Sequence, residues 1–194
     1  MSEQNTPATR LANRDWAAGV LRFWFEELGA SGWFKKSEAT DAEITARFEE
    51  LHRDITGAPA DTLLADRDAA LAAVIVLDQF ARNMFRGKPA SFASDAKALD
   101  LARRAVEFGY DDRDLSADRR VFFYLPFEHS EELADQHRSV ELISALGNAE
   151  YTKYAIAHRD VIERFGRFPH RNTILGRTST AAEESYLAEP GSGF

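Results

Sequence analysis

The chain contains no cysteine. That excludes disulfides, thiol nucleophiles and cysteine-based zinc or iron–sulfur sites, and it agrees with a reducing compartment without requiring one. Long apolar runs are also missing. The longest, Ala69 to Leu77, has nine residues, against the roughly 20 that cross a bilayer as a helix, so no membrane role is expected. Met1 to Arg14 is polar and lacks the apolar core of a signal peptide, which leads us to expect a cytoplasmic protein. A surplus of positive charge is absent too: the formal charge is −8. Nucleic-acid binding, which rests on neutralising phosphates, is therefore not expected.

Several motifs with known mechanics fail. No Gly-x-Ser-x-Gly elbow occurs and no phosphate-binding glycine loop, since Gly191-Ser-Gly193 lies in the tail. His158-Arg-Asp160 matches a kinase catalytic triplet, but the metal-binding Asn expected five residues after the Asp is Phe165. No cofactor is expected. A metal set of His129, His158 and Glu131 can be drawn, yet no His-Glu-x-x-His spacing supports it, so no metal is expected either.

What is present is a helical pattern in a chain of 194 residues, 44% apolar, with 14 Phe and 3 Trp. That content is ample for a packed core. Trp16, Val20, Leu21, Trp24, Phe25 and Leu28 recur at helical spacing after Asp15, the expected cap. Ile44, Phe48, Leu51 and Ile55 do so after Ser37 or Thr40. A third segment is apolar all round from Ala69 to Leu77 and then turns polar at Asp78, Gln79, Arg82, Asn83 and Arg86. Ser94 is expected to cap a helix with the small stripe Ala98, Leu99, Ala102, Ala105 and Val106. Ser116 opens an aromatic helix that Pro126 is expected to break or bend. Ser130 should cap the next, with Glu131 and Glu132 at its positive end. Tyr151 to Phe165 forms another, stopped by Gly166, and Thr180-Ala-Ala-Glu183 is a capping-box pattern. No segment alternates as a strand does. The expected fold is all-α: one helical domain over 1–194 of stacked antiparallel hairpins, about seven to nine helices, with 1–13 and 189–194 flexible.

Polar groups gather in three places, each at a helix end where backbone groups can meet a ligand. From Tyr151 to Arg177 six basic residues face two acids, so this segment is positive within an acidic chain. If the helix ends converge, Arg82, Asn83, Arg86, Glu128, His129, His158, His170, Arg171 and Asn172 line a pocket for a small anionic ligand, because arginine grips carboxylate or phosphate with a planar fork. His158 lies on the apolar stripe of its helix. It and His129 are the candidates for proton transfer. The plainer reading is a buried histidine satisfied by a neighbouring carbonyl or carboxylate. The residues themselves name no reaction.

Leu77-Asp-Gln-Phe-Ala-Arg-Asn-Met-Phe-Arg-Gly87, Phe123-Tyr-Leu-Pro-Phe-Glu-His-Ser-Glu131 and His158 through Arg177 resemble the bacterial "domain of unknown function 924" family, from about residue 20 to 187. The resemblance implies a tetratricopeptide-like helical fold and carries no catalytic assignment. One departure is Ala81, where the family motif commonly has proline, so the helix should run on smoothly there. Such a fold offers an alternative function: a scaffold that binds a peptide or protein partner in a concave groove, with Trp33 and Phe34 as exposed aromatics.

Overall fold

The computed structural model describes residues 7–192. It is all-helical, 72% helix with no strand among the described residues. Twelve α segments occur in chain order: α1 Pro7–Ala12, α2 Asp15–Arg22, α3 Ala30–Trp33, α4 Glu38–Gly57, α5 Ala60–Leu63, α6 Arg67–Ile75, α7 Ala81–Met84, α8 Asp95–Glu107, α9 Ala117–Glu128, α10 Leu133–Ser144, α11 Ala149–Phe165 and α12 Ala181–Leu187. A π-helical turn at Val76–Phe80 joins α6 to α7 without a break. The segments therefore make 11 helices, slightly above the expected seven to nine. The excess comes from one-turn pieces such as α3 and α5, too short to show a periodicity.

The chain divides into two compact units. One runs to Arg86 and takes in Ala90–Pro126; the other comprises Gly87–Pro89 and the chain from Phe127 onward. In the first unit the all-apolar run behaves as its composition demands, for every residue from Ala69 to Ala81 is buried. Around it lie Phe23, Trp24, Phe48 and Phe80, with ring centroids 5.1 Å apart for Phe23–Phe48 and 5.5 Å for Trp24–Phe80. Edge-on packing at such separations suits aromatic quadrupoles. Trp33 is buried, not exposed: it donates Nε1–H to the Trp24 carbonyl at 2.7 Å and stacks on the Trp24 ring. Phe34 is exposed, at 61%.

The helix does continue through Ala81, but it winds as a π turn just before it. Pro126 does not end its helix, which continues to Glu128. Proline costs that helix the bond to the Phe122 carbonyl, four residues back. Several expected caps are differently employed. Asp15 is the first residue of α2, after Arg14. Ser94 stands at its cap position but gives its hydroxyl hydrogen to the Leu77 carbonyl at 2.6 Å. Residues 1–6 of the segment expected to be flexible lie outside the described residues, whereas Pro7–Ala12 is helical and Arg10 grips Asp54 bidentately at 2.7 and 2.8 Å.

In the second unit α10 and α11 pack side by side. Asn148 caps α11 by accepting from the N–H groups of Glu150 and Tyr151, and Gly166 ends it at φ +68. Val161, Ile162 and Phe168 form a buried cluster flanked by Phe165 and Tyr186. The Thr180 capping box forms in full.

Candidate functional site

The three candidates of the first unit are held by aspartates of that unit. Asp41 accepts from Asn83 Nδ2 at 2.8 Å and from Arg86 Nε and a terminal nitrogen at 2.6 and 2.8 Å. Burial pushes this carboxyl up, but the bonds from Arg86 and Asn83 outweigh it and leave Asp41 below the usual carboxylate range. Arg82 forks onto Asp95 at 3.0 and 3.1 Å and reaches Asp78 at 3.1 Å. Asp78 is buried and takes a further bond from Gln79 at 2.6 Å. The favourable Asp78–Arg82 spacing thus makes an internal ion pair. Any external anion at these arginines competes with a carboxylate already in bidentate geometry.

The second unit gathers the remaining six. Glu128 and His129 follow Pro126 at the end of α9, His158 lies on the buried stripe of α11, and His170, Arg171 and Asn172 occupy the turn after it. The turn at Ser130 is fixed by Gln136, which is wholly buried on α10. Its amide nitrogen donates to the carbonyls of Glu128 and Ser130 at 2.6 and 2.7 Å. Both partners can only accept, so the NH2 must face them. Gln136 Oε1 is left buried without a hydrogen-bond partner, a cost of about 1–3 kcal/mol that this orientation of the turn carries. Ser130 is not the cap residue of α10; Glu132 is. The Ser130 hydroxyl instead accepts from the Glu132 N–H and donates to Asp135 at 2.7 Å.

Glu131 leaves the helix end altogether. It accepts from Arg177 at 2.7 and 2.9 Å and from the Phe168 N–H at 2.8 Å, pinning the turn that carries Arg171. Burial acts to raise its carboxyl, yet Arg177 and the Phe168 N–H prevail and hold it low. Glu131 is thus committed elsewhere, and the carboxylate beside the histidines is that of Glu128. Glu128, His129 and His158 each offer a ligand-type atom, all within 4.8 Å of one another.

His158 Nδ1 lies 2.9 Å from the Tyr154 carbonyl and 3.3 Å from Glu128 Oε1. Both neighbours are oxygen acceptors, which assigns the proton to Nδ1 and the lone pair to Nε2. Burial drives the imidazole down to about 3, aided by the charges of His129, His170 and Arg171 and opposed by the Tyr154 carbonyl. His158 is therefore neutral at pH 7, and its contact with Glu128 is a neutral N–H beside a carboxylate rather than an ion pair. Around it stand His129, with ring centroids 6.2 Å apart, and Phe168 at 5.6 Å. Arg171, also buried, lies over the Phe168 ring at 4.5 Å and donates to the His129 carbonyl at 3.0 Å. Asn172 donates to Ser179 and accepts from Arg177, which ties the turn to the chain that follows it. An open recess of about 560 Å³ at Ser144, Gly147, Ala149, Thr152, Lys153 and Ile156 contains none of these groups. Its lining offers a single charge, so the chemistry favours the histidine cluster.

The profile of the family described as "Bacterial protein of unknown function (DUF924)" matches residues 20–191. The chain belongs to the DUF924 family. A solved structure, described as a protein of unknown function ATU0120 from Agrobacterium tumefaciens, is 41% identical, with a TM-score of 0.85 over 90% of this chain and 97% of that one. No curated protein matches. All six second-unit candidates fall within the DUF924 match. Gln136, which orients the turn bearing two of them, escaped the sequence reading. Its signal was available only as a polar residue on the inward face of α10.

Proposed function

We propose that this DUF924 protein binds a small anionic ligand in its second unit, with Arg171 gripping the charged group and His129 and His170 adding N–H donors. The observation that carries this reading is the buried Arg171 guanidinium, set among imidazoles on the face of Phe168. Buried charge is retained where paired groups or a ligand answer it, and a guanidinium fork matches carboxylate and phosphate oxygens. Arg82, Asn83 and Arg86 are left out of this site because they hold their own aspartates. We place the protein in the bacterial cytoplasm. No helix of the described residues is long and apolar enough to cross a membrane.

The test is calorimetric titration and thermal unfolding of the whole chain with inorganic phosphate and succinate at matched ionic strength. Saturable binding is expected, with about 2.7 kcal/mol of added stability at 100 times the dissociation constant. Arg171→Lys should weaken binding sharply, because it keeps the charge but loses the fork. Half-buried His170→Ala should weaken it with the helical content unchanged. Absence of any saturable response in the unaltered protein overturns the proposal.

A second reading is a tetratricopeptide-like scaffold for a peptide or protein partner. Exposed Phe34 and Phe108 support it, but it loses Trp33, which belongs to the core.

A further inference from the structure

The geometry points to a divalent transition-metal ion held by Glu128, His129 and His158, with the anionic ligand completing its coordination. This inference deepens the anion-site reading and rests on it only for the last coordination position. Two imidazole nitrogens and one carboxylate form a nitrogen–oxygen set that suits zinc, cobalt or a similar ion, and three protein ligands leave a position open. The chain, without cysteine, offers no thiolate alternative. Ligand atoms around one tetrahedral ion stand about 3.3 Å apart, while the three here lie within 4.8 Å. Ligation through His158 Nε2 requires Glu128 Oε1 to swing from its place 3.3 Å from Nδ1 and the half-buried His129 to turn with it.

The surroundings match what orients metal ligands. His158 gives its Nδ1–H to the Tyr154 carbonyl at 2.9 Å, which fixes the ring and leaves Nε2 as the nitrogen that would take an ion. Gln136 clamps the backbone of Glu128 at 2.6 Å, so the turn delivering two ligands is rigid. Arg171, bonded to the His129 carbonyl, opposes a cation by charge alone. An anion between the ion and the guanidinium is attracted to both. Ion and anion should therefore strengthen each other's binding, reciprocally.

The experiment is equilibrium dialysis of the chelator-treated whole chain against Co2+, followed by metal analysis and visible absorption. One tightly held Co2+ per chain is expected. Glu128→Gln and His129→Ala should each lose it, and Arg171→Lys should keep it. The exposed His137, 3.9 Å from Glu163, supplies the control for adventitious binding, and His137→Ala should also keep the ion. Undiminished Co2+ in His129→Ala, loss of it in His137→Ala, or no stoichiometric Co2+ in the unaltered chain overturns the metal site. Circular dichroism confirms that each variant is folded, and the unaltered chain decides the matter if Glu128→Gln is not. Phosphate titration separates the two readings. Binding that is at least tenfold tighter with Co2+ supports both. Equal phosphate binding with chelator, together with no stoichiometric Co2+, sinks the metal and leaves the anion site. Bound Co2+ with the expected ligands but no phosphate binding preserves the metal and ends the anion reading.

Discussion

Replacing Glu183 by Gln tests how the last helix is fastened. Glu183 is 2% exposed yet ionised, and its carboxylate accepts from Arg167 at 2.7 and 2.8 Å and from the Thr180 N–H at 2.7 Å. Arg167 first, then the Thr180 N–H, hold it at about 2 against an ordinary 4.5, with burial opposing. Because the folded value lies below the unfolded one, the stabilisation is full above about 4.5. It fades as the pH falls toward 2. The gap of about 2.5 corresponds to a ceiling of about 3.4 kcal/mol. The Arg167 side chain is 29% exposed, so screening by water brings the expected cost of Glu183→Gln to about 1–2 kcal/mol. For a chain of this size that is a fall of about 2–8 °C in Tm at pH 7. Urea unfolding of both proteins from pH 7 to pH 3 is the assay. The difference between them should shrink steadily below about pH 4.5. A difference that stays constant to pH 3, or that is missing at pH 7, refutes the reasoning.

Gly166→Ala should cost about 1 kcal/mol by urea unfolding, since the residue closes α11 at φ +68 with nothing near enough to clash. Phe80→Ala, at the centre of the first unit's aromatic cluster, should cost about 3–5 kcal/mol, read as a lower urea midpoint. Arg86→Ala releases Asp41 from a bidentate partner. About 1–2 kcal/mol is expected at this partly exposed position, and Asp41→Asn combined with Arg86→Ala should cost less than the two singles summed.

The helices were legible where pattern and caps agreed. Ser37, Gly166 and the Thr180 box each mark a real boundary, because a hydroxyl near a free N–H or a glycine at positive φ solves a purely local problem. Pro126 does not break α9, because its cost is local while burial is not. Val121 to Glu128 are all buried, only the proline's missing N–H argues for a break, and packing decides for continuity. Ser94 stands at its cap position but donates its hydroxyl hydrogen to the Leu77 carbonyl, and the Ser130 hydroxyl serves the Glu132 N–H and Asp135 from two residues ahead of the cap. Trp33 looked exposed because its segment is too short for periodicity, and its indole found Trp24.

The site was legible as residue types and not as pairings. Sequence grouped Arg82, Arg86 and Arg171 as equivalent anion grips. Arg82 and Arg86 each fork onto an aspartate 13 and 45 positions away in the chain, which the sequence does not pair for them. Likewise Glu128 and Glu131 are three residues apart and chemically identical, yet one faces His158 while the other pins Arg177. Nothing local distinguishes them. What does is Gln136, whose bonds to the Glu128 and Ser130 carbonyls set the direction in which each carboxylate leaves the backbone. If the second unit holds an ion, Gln136→Leu should loosen it without touching a ligand. It removes the amide donor from two carbonyls, so weaker Co2+ binding in a chain of unchanged helical content is the expected result. Unaltered Co2+ binding would show that the turn is set by other contacts.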